Sequence, residues 1–294
     1  MSLPPMATPE GAPGGIVPVR LPPDPARVFE RRASRFRMLA SGHAIGEYLL
    51  ALASLADAQG LACQEVSIVA GEDGSSPAFP LRLEAGRREK AWREALGVVL
   101  AEMGKVPLPT PARGALARLG TSAPFELEAF ADALLDGTLG DADAAVAPFV
   151  GAALQVYWTR FASEVPAAGV AASLHVCPVC GSPPVAGSVD GDDKLRYLSC
   201  SLCAAEWHLT RVMCATCGAT GGISYFAVEG NPGAVKAEAC EQCRTYLKLF
   251  YLEQDTRAEP IADDTATLSL DLLMAEQGFS RGGVNFFLYS DAGS

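Results

Sequence analysis

The amino-acid sequence predicts an α+β protein: an all-helical N-terminal domain, two tandem rubredoxin-like or zinc-ribbon four-cysteine modules, then a C-terminal helix and tail. Three observations predict it. The first half is rich in Ala and Leu, nearly free of cysteine, and spaces its apolar residues as helices do. Eight of the nine cysteines lie between His175 and Tyr251 in four Cys-x-x-Cys pairs. That same region carries many glycines and short alternating runs, which suit β-hairpins far better than helices.

Residues 1–26 read as a disordered leader. The stretch 1–17 is rich in Pro and Gly and has neither the basic start nor the apolar stretch of a signal peptide. A helical domain is expected over residues 27–168. Its first helix, 27–58, carries a stripe of Phe29, Phe36, Leu39, Ile45, Leu49, Leu50 and Leu52, with Gly60 as its stop. A linker through Gly71, Gly74, Ser75, Ser76 and Pro77 leads to a second helical stretch, 87–103. Pro107, Pro109 and Pro111 then break the chain. Residues 125–135 form a short helix closed by Gly137 and Gly140. From Asp143 the pattern resumes, with Pro148 near its start and Phe149, Val150, Leu154, Val156, Tyr157 and Phe161 on one side.

Composition changes over residues 166–172. The two modules are expected at 169–211 and 212–258, with strands near 194–198, 221–226 and 234–239. Residues 259–294 hold one more helix and the tail. Asp263 or Asp264 is its expected N-cap, Leu268, Leu272 and Leu273 its inner face, and Gly278 its stop.

The cysteine pairs are Cys177 with Cys180, Cys200 with Cys203, Cys214 with Cys217, and Cys240 with Cys243. Each pair is a tight knuckle that points two sulfurs at one place. Two knuckles supply a tetrahedron of thiolates, which suits zinc or mononuclear iron equally. Gly181 and Gly218 follow the first and third pairs, where a knuckle needs positive φ to turn backbone N–H groups toward sulfur. The short gap from Cys203 to Cys214 makes consecutive modules the simplest pairing. One site is then Cys177, Cys180, Cys200 and Cys203, and the other Cys214, Cys217, Cys240 and Cys243. An interleaved cross-brace is the alternative. The sites read either as structural zinc ribbons, folding a region too small for its own core, or as rubredoxin-like iron sites with redox character.

The remaining candidates have plainer readings. Cys63 in Leu61-Ala62-Cys63 reads as a buried small hydrophobe. His175 and His208 flank cysteine pairs, but each site already has four thiolates, so supporting or surface positions are expected. His43 reads as an ordinary helix residue, and Tyr197 and Trp207 as packing for the first module. No phosphate-binding glycine loop, Ser/His/Asp arrangement or His-rich metalloenzyme motif occurs, and no catalytic residue is assigned. The net charge is −11, and residues 170–260 carry seven Lys or Arg against ten Asp or Glu. A nucleic-acid or anionic-membrane partner would call for the opposite sign. No run of eighteen apolar residues exists, so no membrane span is expected. A cytoplasmic protein with reduced cysteines is the bounded expectation.

Several segments resemble the formate dehydrogenase accessory protein family FdhE. They are Cys177-Pro-Val-Cys-Gly-Ser-Pro-Pro-Val-Ala-Gly187, Leu195-Arg-Tyr-Leu-Ser-Cys-Ser-Leu-Cys203 through Glu206-Trp207-His208, Lys236-Ala-Glu-Ala-Cys240 with Cys243, and Thr245-Tyr-Leu-Lys248. Ala262-Asp-Asp264 through Glu276-Gln-Gly-Phe279 completes them, and Asn285-Phe286 departs where a proline is expected after the asparagine. The resemblance implies a cytoplasmic accessory protein, not an enzyme. It would hold two metal ions, iron or zinc, on the eight cysteines. It would act on the catalytic subunit of a selenium- and molybdenum-dependent formate dehydrogenase before export. A rubredoxin-like electron carrier and a zinc-ribbon nucleic-acid-binding protein are the alternatives. The sequence leaves a homodimer open.

Overall fold

A computed structural model describes residues 23–67, 90–164, 175–191, 194–228 and 233–289. The expected leader up to residue 22, the Gly71–Pro77 linker and the composition change at 166–172 lie outside the described residues.

The N-terminal half is helical, with more breaks than the apolar stripe implied. Helix α1 is Pro25–Ala40, and the Asp24 carboxylate caps it by accepting from Ala26 N at 3.1 Å. The single helix expected over 27–58 is two. The chain turns at Gly42, whose φ of +70° favours glycine, and restarts as α2, Gly46–Glu65. At Gly46 a Cβ would sit 2.6 Å from the Ala40 carbonyl oxygen, so the tight hairpin needs a glycine there. Gly60 does not stop the helix; it lies inside α2, facing Phe29 of α1.

Helix α3 is Ala91–Met103. The expected proline break instead opens α4, Thr110–Thr121, because Pro111 stands in the first turn, where its missing N–H costs nothing. Helix α5 is Pro124–Leu135, and the Glu126 side chain accepts from Ala123 N at 2.7 Å. A 3-10 turn, Asp141–Val146, leads into α6, Ala147–Glu164. Helix α6 is buried nearly all round, from Ala147 and Phe149 to Phe161 and Ala162, and is the axis of the helical body.

The C-terminal half forms a seven-stranded sheet. Strands β1 Pro184–Asp190, β2 Leu195–Cys200, β3 Glu206–His208, β4 Ile223–Phe226, β5 Val235–Cys240 and β6 Thr245–Tyr251 lie in the order β3-β2-β1-β6-β5-β4. A short β7, Ser280–Arg281, pairs with β6. Each module is an antiparallel three-strand unit with a knuckle before its first strand and another between its second and third. The order is therefore one unit repeated across the sheet. The join is parallel, β1 on β6, with Gly187 opposite Leu249.

The C-terminal helix differs from expectation. Its N-cap is Glu259, whose carboxylate accepts from Ala262 N at 2.7 Å, and α7 is Pro260–Ala266. Asp263 and Asp264 lie inside that helix and are buried. A second helix, α8, follows as Leu268–Glu276. Its inner face is Leu270 and Met274, while Leu272 is 68 % exposed. Gly278, at φ +74°, ends it as expected.

Buried ion pairs replace the expected cap. Arg35 binds Asp263 with Nε–Oδ2 at 2.8 Å and reaches Asp255 at 2.7 Å, joining α1 to α7. Asp264, fully buried, accepts from Arg281 and from Asn285 Nδ2 at 2.9 Å and lies 3.2 Å from Lys248 Nζ. Burial works against its charge, yet Lys248 and Arg281 hold its pKa below the usual carboxylate value. Removing one partner of a buried cluster strands the others. Asp264→Asn should therefore cost about 3–5 kcal/mol in denaturant unfolding of the metal-loaded protein. A folded-state pKa below the unfolded one also fixes a sign. The Asp264 contribution is present at neutral pH and is lost as pH falls from about 4 through the lowered value. Acid unfolding should flatten over that range in the Asn variant, as followed by circular dichroism.

Candidate metal centres

The four knuckles converge in two groups. The donor sulfurs of Cys177, Cys180, Cys200 and Cys203 lie within 4.8 Å of one another, and so do those of Cys214, Cys217, Cys240 and Cys243. The grouping is tandem and not interleaved. The hairpin explains it: β1 and β2 pair Pro184 with Cys200, which carries the second knuckle back beside the first. In the second module β4 and β5 pair Ile223 with Cys240 to the same effect.

Sulfur spacing tests the fit to a metal. A tetrahedron with metal–sulfur bonds of about 2.3 Å has edges of about 3.8 Å. The closest sulfur pairs are Cys177–Cys203 at 3.6 Å, Cys180–Cys200 at 3.5 Å, Cys214–Cys243 at 3.8 Å and Cys217–Cys240 at 3.7 Å. All nine cysteines are free thiols, and these separations are far beyond a disulfide bond. Backbone N–H groups donate to the sulfurs, as from Val179 to Cys177 at 3.4 Å, Leu202 to Cys200 at 3.3 Å and Thr216 to Cys214 at 3.3 Å. Such donors stabilise thiolate, the form a metal needs.

Electrostatics point the same way. Burial pushes the Cys200 and Cys203 thiols well above the ordinary range, and neighbouring sulfurs add to it. Burial also opposes charge on Cys180, but the neighbouring Cys177, Cys200 and Cys203 sulfurs hold it well below that range. Burial takes Cys214 up to about 12, whereas Thr245 overcomes burial to bring Cys243 down to about 7. Clustered sulfurs cannot all ionise by themselves. A bound dication removes the conflict.

Every knuckle ends on a left-handed residue. Gly181 and Gly218 have φ of +79° and +77°, as their spacing predicts. The second and fourth knuckles do the same with side chains in place, Ala204 at +57° and Arg244 at +56°. Arg244 turns the strain to use. Its guanidinium stacks 3.8 Å from the Phe279 ring centroid and donates to the Gln277 carbonyl at 2.7 Å, tying the second module to the end of α8.

The other candidates fall outside the sulfur groups. His175, two residues before Cys177, places its ring over the other module's first knuckle, with Nδ1 3.3 Å from the Ala215 carbonyl. His208 stacks edge-on to Tyr197 across the β2–β3 pair. Trp207 and Tyr197 are buried in the sheet, as expected of packing residues. Cys63 is buried in the helical body, and burial raises its thiol pKa. His43 lies in the α1–α2 turn and not on a helix, with Nε2 2.9 Å from the Ala266 carbonyl.

Sequence reasoning missed the polar residues that attach these centres to the body. Gln155 of α6 donates to the Ser201 carbonyl inside the second knuckle at 2.8 Å. Its Oε1 accepts from Arg32 at 3.1 Å and Gln59 at 3.0 Å, and Arg32 continues to Glu259 at 3.1 Å. Arg196 of β2, fully buried, pairs with Glu238 of β5. It also donates to the Thr210 and Met213 carbonyls at 2.6 Å, fixing the turn between modules. The only local signal is a charged residue within a strand or an otherwise apolar helix, and both readings of such a residue begin from exposure.

A helical body packed against a sheet of two repeated four-sulfur ribbons defines a two-centre cysteine-knuckle protein. Family models described as FdhE N-terminal, central domain and C-terminal domain match residues 17–174, 176–211 and 212–288. The chain is 40 % identical over 290 residues to the protein FdhE homolog of Edwardsiella ictaluri, covering 95 % of this chain and 94 % of the relative. It is 37 % identical over 291 residues to protein FdhE of Salmonella paratyphi A, covering 95 % and 93 %. The crystal structure of the FdhE protein from Pseudomonas aeruginosa superposes with a TM-score of 0.83 at 36 % identity, covering 92 % of this chain and 98 % of that one. The chain belongs to the formate dehydrogenase accessory protein family FdhE.

At Gly218 an added Cβ would be strained by φ and would stand 3.1 Å from the His175 ring. Gly218→Ala should therefore weaken metal retention at the second centre by about 1–2 kcal/mol in chelator competition. The first centre should be unchanged.

Proposed function

We propose that this protein is a maturation factor for formate dehydrogenase that binds the enzyme's catalytic subunit in the cytoplasm before export. The observation that carries the reading is family membership over nearly the whole chain, with all eight paired cysteines in two tetrahedral groups. In this reading Cys177, Cys180, Cys200 and Cys203 hold one metal ion, and Cys214, Cys217, Cys240 and Cys243 hold a second. Either zinc or iron closes the knuckles; iron would add one-electron exchange.

The chain's own residues supply a rigid binding body and not a reaction centre. Gln155, Arg32 and Glu259 lock the first centre to α1, α6 and α7, while Arg196 and Glu238 lock the modules to each other. The net charge of −11 and the excess of acidic over basic residues across 170–260 support a protein client over nucleic acid. Among the described residues no helix is long and apolar enough to cross a membrane. A cytoplasmic place of action agrees with nine free cysteines.

The test is genetic and biochemical together. Replacing Cys177 and Cys180 by Ser should unfold the first module, remove one metal equivalent and abolish formate dehydrogenase activity in cells. The wild-type protein should co-purify with the catalytic subunit. Full cellular activity with both centres disrupted would overturn the assignment. Visible ferric-thiolate absorption that bleaches with reductant would instead favour the rubredoxin-like electron carrier.

A further inference from the structure

The two centres have the same ligands but opposite surroundings. Cys177, Cys180 and Cys203 are 0 % exposed and Cys200 is 2 % exposed. The residues between them, Pro178, Val179, Ser201 and Leu202, are buried as well. A cleft of about 560 Å³ between α1, α7 and β2 is lined by Cys200 and by none of the other three cysteines. On the inner side the Ser201 carbonyl is occupied by Gln155. The first centre is sealed between sheet and helices.

The second centre lies at the surface. Cys217 is exposed and Cys243 half-buried, against buried Cys214 and Cys240. Of the four residues within its knuckles, Thr216, Glu241 and Gln242 are exposed and Ala215 is buried. Among the described residues, Thr245 Oγ1 is 3.1 Å from Cys243 Sγ, and the His175 ring packs over Gly218.

Ligand exchange at a four-thiolate ion proceeds through a fifth ligand, so its rate follows access of that ligand. We propose that the second centre exchanges its metal ion and accepts external donor ligands through Cys217, while the first is an inert structural closure. The proposal rests on the metal reading given above. In the exchange, a donor atom of the incoming ligand forms a bond to the ion and the Cys217 Sγ bond breaks. The released thiolate takes a proton from water, and no electron is transferred. The chemical class that fits is a small thiol or nitrogen chelator, or a cysteine or histidine side chain presented by a bound protein.

The full-length protein loaded with zinc, two equivalents by elemental analysis, is mixed with excess coloured chelator. One equivalent should leave at least about tenfold faster than the other. Iodoacetamide added after the fast phase should label the peptides holding Cys214, Cys217, Cys240 and Cys243, and spare those holding Cys177, Cys180, Cys200 and Cys203. This readout uses the wild-type chain and does not depend on a variant folding. Cys217→Ser should speed the fast phase further and leave the slow one alone. Release of both equivalents at one rate, or first labelling at Cys177 to Cys203, would overturn the proposal. A protein that holds no metal at all would overturn the four-thiolate reading itself.

Discussion

Four sulfurs held in a dry interior set the terms for the rest of this fold. The first centre occupies the junction of sheet and helices, where burial of all four cysteines leaves little solvent to share the charge of thiolates. Burial drives Cys200 and Cys203 toward the neutral thiol and cannot do so for Cys180 as well. A bound metal cation would resolve that conflict together with the knuckle N–H groups, and both would need the two knuckles to stay in register. The structure supplies the rigidity from outside the module. Gln155 reaches from the most buried helix into the knuckle, and Arg32 and Glu259 hold Gln155 in place.

The same logic extends along the sheet. Repeating one three-strand unit and joining the copies through a parallel β1–β6 pair makes the second module an extension of the first. Strands buried on both faces leave no place for exposed charge, so Arg196 and Lys248 must find partners inside. They do so with Glu238 across the modules and with Asp264 and Asp271 at the C-terminal helices. Buried ion pairs of this kind contribute little net stability but penalise wrong arrangements heavily. They orient body, ribbons and tail relative to one another. The outer module keeps its knuckles at the surface, and there its sulfurs differ from the inner set.

Much of the fold and of the candidate site was legible in the residues. Helical spacing in the first half, the hairpin runs between cysteine pairs and the glycines after Cys180 and Cys217 each follow from short-range chemistry. What misled was also local. Pro111 reads as a break because a proline stops a helix from inside, yet at the first turn it starts one. Asp263 reads as a cap because aspartate favours helix starts, yet Arg35 draws it into the interior and Glu259 caps instead. The contrast between the centres was faintly written in the knuckles, Pro-Val and Ser-Leu against Ala-Thr and Glu-Gln, but apolar content alone does not say which surface covers it.

The sequence by itself determined the family, the eight sulfurs and their pairing into knuckles, because a Cys-x-x-Cys turn and a hairpin act over a few residues. Tertiary structure alone decided which centre is sealed and which is open. It also decided that Arg32, Arg35, Arg196 and Lys248 are buried fastenings and not surface charge. Those outcomes depend on partners as far apart as Arg35 and Asp263, brought together only when helices and sheet close on each other.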